Sequence, residues 1–203
     1  MIGKGAANPA PFYCVNPTDV LDFWFGAKGD PDYGKTRSLW FTKSDATDEL
    51  VRDRFGGAVE AGLNGKIDDW ALTPRGALAS IILLDQLTRN IYRDTPRSFA
   101  GDEHALRLAS NLVDRSDDRL LAPVERWFAY MPFEHSEFLN DQLESVRLFE
   151  QLAQDGLQEP LSWAIKHYDV IKRFGRFPHR NAILGRESTA DEIEFLKEQG
   201  SRF

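Results

Sequence analysis

Basic side chains alternate with apolar ones in residues 173–186, near the carboxyl end of the chain. No Asp or Glu interrupts this stretch, which holds four arginines: Arg173, Arg176, Arg180 and Arg186. Phe174 and Phe177 favour the protein interior, so the guanidinium groups between them need partners such as carboxylates, carbonyl oxygens or a bound anion. The stretch therefore predicts either a pocket for a phosphate or carboxylate, or a buried network in which acids from elsewhere neutralise the arginines.

A second polar stretch follows the apolar run at residues 81–84. Asp85 comes directly after it, and Arg89 and Arg93 follow at steps of four, so on a continuous helix the three side chains share one stripe. This spacing predicts an ion pair between Asp85 and Arg89 that holds the end of the helix. The alternative is that Arg89 and Asn90 contact a ligand there.

Glu134 and His135 lie where Pro132 is expected to end a short helix. An imidazole or a carboxylate at such a junction can act as a general base, so these two residues are the candidates for catalysis. With Glu137 they could also ligate a divalent metal, but the paired-histidine spacing of zinc protease helices is absent. The sequence predicts no metal site and no cofactor.

Covalent catalysis has little support in the sequence. Cys14 has no basic neighbour that would activate its thiol. Ser136 adjoins His135 in the chain, where two side chains rarely meet in a useful geometry. No glycine-rich phosphate loop precedes a helix, and no GxSxG motif occurs.

Three alternatives for function follow from these stretches. The leading one is a binding or interaction protein whose pocket holds a small anionic ligand or a peptide carboxylate. The second is a hydrolase with Glu134 or His135 as general base and arginines that stabilise an oxyanion. The third is a purely structural polar network. The predicted ligand-binding residues are Asp85, Arg89, Asn90, Arg173, Arg176, His179, Arg180 and Asn181.

Charge and composition exclude some partners. The formal net charge is −7, which repels nucleic acid and anionic membrane surfaces, so neither is expected as a partner. The apolar runs are far shorter than the roughly 20 residues of a membrane-spanning helix. Cys14 is the one cysteine and cannot form an internal disulfide, which favours a reducing compartment and predicts a cytoplasmic location.

Signals for helices recur along the chain. Asn16-Pro17 and Thr73-Pro74 each offer a capping side chain followed by proline, a common start of a helix. Apolar residues then recur at steps of three and four, and no segment has the alternation of a β-strand. The pattern predicts an all-α fold of roughly seven to nine helices stacked in antiparallel pairs. The length of the chain, 203 residues, predicts a single helical domain at residues 16–203, after a loose N-terminal arm at residues 1–15.

Several long runs make the chain similar to a known family. They are VLDFWFG at 20–26, LLDQ at 83–86, RNIYR at 89–93, YMPFEHSE at 130–137 and RFGRFPHRNAILGREST at 173–189. Through these runs the chain resembles an uncharacterised bacterial family, domain of unknown function 924, from Pro17 onward. The resemblance implies a tetratricopeptide-like helical array and implies no reaction. Thr88 departs from the proline that the family tends to have at this position.

Overall fold

The computed structural model describes residues 15–202, and regular structure in that range is helical, without a β-strand. The α-helices are α1 (Pro17–Phe25), α2 (Ser38–Phe41), α3 (Asp45–Leu63), α4 (Pro74–Ile81), α5 (Thr88–Ile91), α6 (Asp102–Asp114), α7 (Pro123–His135), α8 (Leu139–Gln154), α9 (Leu161–Phe174) and α10 (Ala190–Phe195). A π-helical segment, Ile82–Leu87, joins α4 to α5 without a break. Short 3₁₀ turns lie at Asp68–Leu72, Pro96–Phe99, Asp117–Leu120 and Pro178–Arg180.

The continuous helix at residues 74–91 counts as one element, so the described range contains nine α-helices. The all-α prediction and the predicted number of helices are therefore confirmed, while the tetratricopeptide-like arrangement stays a prediction. The expected N-terminal arm, with Cys14, lies outside the described residues except for Val15, which packs against the core. No helix of residues 15–202 has the length and apolar character needed to cross a membrane.

Two helix starts have the predicted capping chemistry. The Asn16 side chain accepts hydrogen bonds from the backbone N–H groups of Thr18 and Asp19, immediately before α1. The Thr73 side chain accepts one from the N–H of Gly76 at the start of α4. In both helices proline occupies the first position, where its missing N–H costs nothing. These caps fix where the helices leading toward the site begin.

The helix at residues 74–91 runs through the centre of the molecule. Its residues from Gly76 to Thr88 are all buried, and it packs against α1, α3, α6 and α7. Aromatic side chains from other helices complete the core, with the Trp40 ring centroid 4.7 Å from that of Phe128. Burying aliphatic and aromatic surface on every side is the main stabilising contribution here, because little of this helix faces water.

The helix α7 differs from its sequence-based prediction. Pro132 was expected to end it, but α7 continues through Pro132 to His135. The prediction was wrong because tertiary contacts support the last turn. Gln142 of α8 donates from its amide nitrogen to the carbonyl oxygens of Glu134 and Ser136, at 2.7 Å each. The successive helices α7, α8 and α9 pack against one another, which brings α9 beside this last turn.

Candidate functional site

The centre of the site is a carboxylate–imidazole pair between two helices. Asp85 lies fully buried in the π-helical segment, and His135 is the last residue of α7. The His135 Nδ1 atom is 2.7 Å from Asp85 Oδ1. π-helical turns occur often at functional sites. Here the wider turn lies in the core and carries a charged side chain.

Burial on its own raises the pKa of Asp85, but the positive charge of Arg89 and the hydrogen bonds from His135 and Gln86 outweigh it and hold the pKa well below its usual value. Asp85 is therefore ionised and can only accept hydrogen bonds. The His135 Nδ1 atom must carry the proton that it donates, so in the neutral ring Nε2 has the lone pair. The His135 side chain is 12% exposed. This is the arrangement of a base oriented by a carboxylate.

A second carboxyl–imidazole pair lies beside the first. Glu134 is buried next to His135 on α7, and its Oε1 atom is 3.0 Å from Nδ1 of His167 on α9. Burial, with the negative charge of Asp85 adding to it, raises the pKa of Glu134 to about 8. Burial lowers the pKa of His167 to about 3. Both members of this pair are therefore neutral near pH 7.

Two arginines, Arg89 and Arg180, share the carboxylate of Asp102 next to Asp85. Arg89 makes two hydrogen bonds to Asp102, at 3.0 and 3.2 Å, and Arg180 Nη1 lies 3.6 Å from the same carboxylate. The Arg180 guanidinium also lies over the rings of Phe99 and Phe177, 4.8 and 4.5 Å from their centroids. Burial and the charge of Arg89 lower the pKa of Arg180 to about 10. Arg180 thus stays cationic at neutral pH in an aromatic enclosure.

His179 comes directly before Arg180 in a 3₁₀ turn. Its ring centroid lies 5.7 Å from that of Phe177. Burial first, then the positive charge of Arg180, lowers its pKa to about 4. The imidazole of His179 is therefore neutral at pH 7.

The segment at residues 173–186 is held in place by acids. Glu137 accepts from the guanidinium of Arg186 at 2.7 and 3.0 Å and from the backbone N–H of Phe177 at 2.7 Å. These bonds fasten the segment to the junction between α7 and α8. This attachment keeps Arg180 beside Asp102, the carboxylate that Arg89 also contacts.

The structure brings together six of the residues that the sequence predicts for ligand binding or catalysis, and adds two that the sequence did not predict. The six are Asp85, Arg89, Glu134, His135, His179 and Arg180; the additions are Asp102 and His167. The predicted ion pair between Asp85 and Arg89 is present at 3.6 Å. Asp102 directly follows Gly101 at the start of α6, and His167 lies within an amphipathic helix. Neither position stands out in the sequence, because only the fold brings them to the site.

Other predicted ligand-binding residues lie elsewhere. Asn90 donates to Asp48 at 2.7 Å. Arg173 is exposed and lies over the rings of Phe174 and Phe195. These two residues are not part of the cluster around Asp85.

Arg176 and Asn181 are turned toward α10. Arg176 donates to both carboxylate oxygens of Glu192, at 2.6 and 2.7 Å, and the Asn181 amide lies 3.3 Å from the same carboxylate. A shallow cleft of about 440 Å³ lies at the surface here, lined by Arg173, Phe174, Arg176, Thr189, Asp191 and Glu192. This cleft does not include Asp85 or His135.

Within residues 15–202, no three His, Cys, Asp or Glu side chains are arranged to hold a metal ion. What the site offers is proton chemistry, because an ionised carboxylate, a protonated carboxyl, three imidazoles and two guanidinium groups lie together. Such a group of residues can accept a proton, donate one and hold a negative charge.

The fold and the site together define the chain as an all-helical protein with a buried acid–base cluster. Its residues 20–200 match the model of a family described as bacterial protein of unknown function, DUF924. The chain belongs to that family, as the resemblance of its sequence runs implied.

A solved structure is also similar to this chain. It is that of the protein of unknown function ATU0120 from Agrobacterium tumefaciens, with 36% sequence identity and a TM-score of 0.79. The similarity covers 90% of this chain and 97% of the other. No curated protein matches the chain.

Proposed function

We propose that this protein is an enzyme, a hydrolase that uses His135 as general base on a small anionic substrate. The observation that carries the proposal is the 2.7 Å contact between His135 Nδ1 and the fully buried Asp85. A carboxylate in this position fixes the tautomer and stabilises the imidazolium that forms when Nε2 takes a proton from water. A structural ion pair needs no such tautomer control. The expected location of the activity is the cytoplasm.

The anionic character of the substrate is supported by the two arginines. Arg180 is buried, and its Nε atom has no hydrogen-bond partner among the described residues. Burying an unsatisfied donor is costly, so a ligand oxygen that accepts from it would stabilise the complex. Arg89, on the other side of the shared Asp102 carboxylate, offsets part of the negative charge beside Arg180. Both guanidinium groups thus support the proposal of an anionic substrate.

The test begins with binding. Thermal unfolding is measured with inorganic phosphate and with small mono- and dicarboxylates, since saturation at about 100 times Kd adds roughly 2.7 kcal/mol of stability. Arg180→Lys should weaken this shift because the ammonium group cannot reproduce the planar fork of the guanidinium. An unchanged shift in Arg180→Lys would remove Arg180 from the binding site.

Turnover is tested on 4-nitrophenyl esters of phosphate and of dicarboxylic acids. His135→Gln should lower kcat by about 10²-fold or more if the imidazole is the base. Asp85→Asn should lower it as well, because an amide side chain no longer enforces the active tautomer. Equal rates in the wild type and His135→Gln would contradict the proposal.

A matched control is available elsewhere on the surface. His104 Nε2 lies 3.6 Å from Asp68 Oδ1, so His104 is a second histidine beside an aspartate. The side chain of Asp68 is far more exposed than that of Asp85. His104→Gln should leave both the thermal shift and the turnover unchanged. This control separates a specific loss at His135 from a general effect of removing a histidine.

Binding without catalysis is the second candidate. It is favoured by the buried Arg180 Nε atom, a donor without a hydrogen-bond partner among the described residues that a bound anion would satisfy without any reaction. Under this alternative the anions shift the thermal midpoint, but no ester is hydrolysed faster than in buffer. The two candidates are therefore separated by the turnover measurement alone.

A further inference from the structure

We propose that Glu134 is the general acid of the site, which carries a proton on its Oε2 atom and gives it to the leaving atom of the substrate. This inference rests on the proposed hydrolase function and names the second half of its proton chemistry. Glu134 directly precedes His135 in the last turn of α7. The acid and the base would thus come from adjacent residues, each paired with a partner from a different helix.

The hydrogen bonds around His167 locate the proton. The Trp163 carbonyl oxygen is 2.9 Å from His167 Nδ1, and because a carbonyl only accepts, Nδ1 must be the donor. Glu134 Oε1 lies 3.0 Å from the same nitrogen and so faces a donor. Oε1 is therefore an acceptor, and the proton of the carboxyl group belongs on Oε2. That oxygen is buried without a hydrogen-bond partner among residues 15–202.

The two buried carboxyl groups have opposite surroundings. Asp85 faces the Arg89 guanidinium at 3.6 Å, the His135 ring, and a hydrogen bond from the Gln86 amide. Glu134 faces the neutral His167 and the negative charge of Asp85. Ionising Glu134 would place two negative charges in one buried site, which is costly. When the surroundings of two neighbouring carboxyl groups push their pKa values apart in this way, one commonly stays ionised and the other acts as an acid.

The proton balance of the proposed step is closed. His135 Nε2 takes a proton from water as the water oxygen forms its bond to the substrate. The bond to the leaving atom breaks, and that atom receives the proton from Glu134 Oε2. The site is then left with an imidazolium and a Glu134 carboxylate. One proton passes from His135 back to Glu134, so the site returns to its starting state without an outside acid.

The test uses two esters of the same acid that differ in the leaving group. The 4-nitrophenolate leaving group departs without a proton, whereas methoxide must be protonated as it leaves. Glu134→Gln is neutral and of the same shape, so it should fold and show the wild-type thermal shift with phosphate. We expect Glu134→Gln to lower kcat on the methyl ester by about 10²-fold more than kcat on the 4-nitrophenyl ester. An equal loss on both esters, or no loss on either, would overturn the role of Glu134 as acid.

The proton itself is measured without a substrate. The infrared difference spectrum of the wild type minus Glu134→Gln at pH 6.5 should contain the carbonyl band of a protonated carboxylic acid. Absence of that band overturns the inference and leaves His135 as base unaffected. If the band is present but the wild type hydrolyses neither ester, the proposed hydrolase function fails, and the acid role fails with it. The two measurements therefore distinguish the failure of one proposal from the failure of the other.

Discussion

Gly101 lies against the carbonyl group of Leu84, so closely that a Cβ atom on Gly101 would be 2.3 Å from the Leu84 oxygen. The same oxygen accepts a hydrogen bond from Thr88 Oγ1 at 2.8 Å. Leu84 directly precedes Asp85 in the π-helical segment, and Gly101 directly precedes Asp102 at the start of α6. The close approach of the two backbones therefore sets the distance between Asp85 and Asp102, the two acids that Arg89 contacts.

Gly101→Ala should destabilise the protein because the added methyl group meets backbone rather than a side chain that could move. We expect a loss of at least about 1–3 kcal/mol in the free energy of unfolding, the usual range for overpacking. Urea unfolding measures this loss. Gly57 in α3 is the control, since a Cβ there meets open space, and Gly57→Ala should stabilise by about 0.5–1 kcal/mol. Similar effects of the two substitutions would contradict the role given to Gly101.

Glu134→Gln should change how stability depends on pH. The raised pKa of Glu134, about 8, means that the folded protein keeps a proton that the unfolded chain loses above 4.5, the usual pKa of glutamate. Between these two pH values the wild type should lose about 1.4 kcal/mol of stability for each pH unit that the pH rises. Glutamine cannot ionise, so the variant should lack this decline.

The measurement is the difference in free energy of unfolding between Glu134→Gln and the wild type at several pH values from 5 to 8. This range lies between the usual pKa of glutamate and the raised pKa of Glu134. Using the difference removes the effects of His167 and His179, which both proteins share. The variant should become more stable relative to the wild type as pH rises. A difference that does not change with pH would mean that Glu134 is ionised throughout.

Arg176→Ala should weaken the attachment of α10. Glu192 is only 2% exposed, and the substitution leaves its carboxylate without the two guanidinium hydrogen bonds. The bond from Arg176 lowers the pKa of Glu192 to about 2, so this stabilisation is present above the usual glutamate pKa and is lost as pH falls through about 2. The variant should therefore unfold in acid at a higher pH than the wild type, as followed by circular dichroism.

The exposed pair of Arg107 and Glu103 on α6 provides the comparison. Surface pairs of this kind contribute little to stability. Arg107→Ala should leave the acid transition where it is, and the expectation for Arg176 fails if both variants unfold at the wild-type pH.

Local patterns were enough to predict the helices. The caps at Asn16 and Thr73 are local, since each side chain binds an N–H group only two or three residues away. Tertiary contacts overruled a local rule at Pro132, where Gln142 supports a turn that proline weakens. The π-helical segment could not be predicted from the sequence either, because the same residues fit the pattern of an α-helix equally well.

The candidate site was predictable only in part, for a related reason. The arginine-rich segment indicated that guanidinium groups need buried partners, and the structure supplies them. Which acid meets which arginine depends on how helices pack, so the pairing of Arg186 with Glu137 and of Arg176 with Glu192 could not be read from spacing. His167 and Asp102 belong to helices whose sequences are ordinary, and long-range packing alone brings them to Glu134 and Arg89.

Gln142→Leu tests how the last turn of α7 is supported. The Gln142 amide nitrogen donates to the carbonyl oxygens of Glu134 and Ser136 at 2.7 Å, in place of the bonds that a longer helix would supply. Leucine fills a similar volume without donating, so those buried carbonyl groups lose their partners at a cost of about 1–3 kcal/mol. The loss of the Gln142 Oε1 atom, which is buried and has no hydrogen-bond partner within residues 15–202, offsets part of this cost. Urea unfolding gives the net value.

The same substitution should affect the site more than the fold. A frayed last turn lets His135 move away from Asp85, so kcat on the 4-nitrophenyl esters should fall further than the fraction unfolded explains. Amide hydrogen exchange should be faster at residues 133–136 and unchanged at the middle of α8. Gln154, exposed at the end of α8, is the matched control, and Gln154→Leu should alter neither measurement. If Gln142→Leu lowers stability but leaves exchange and turnover as in the wild type, the amide does not position His135.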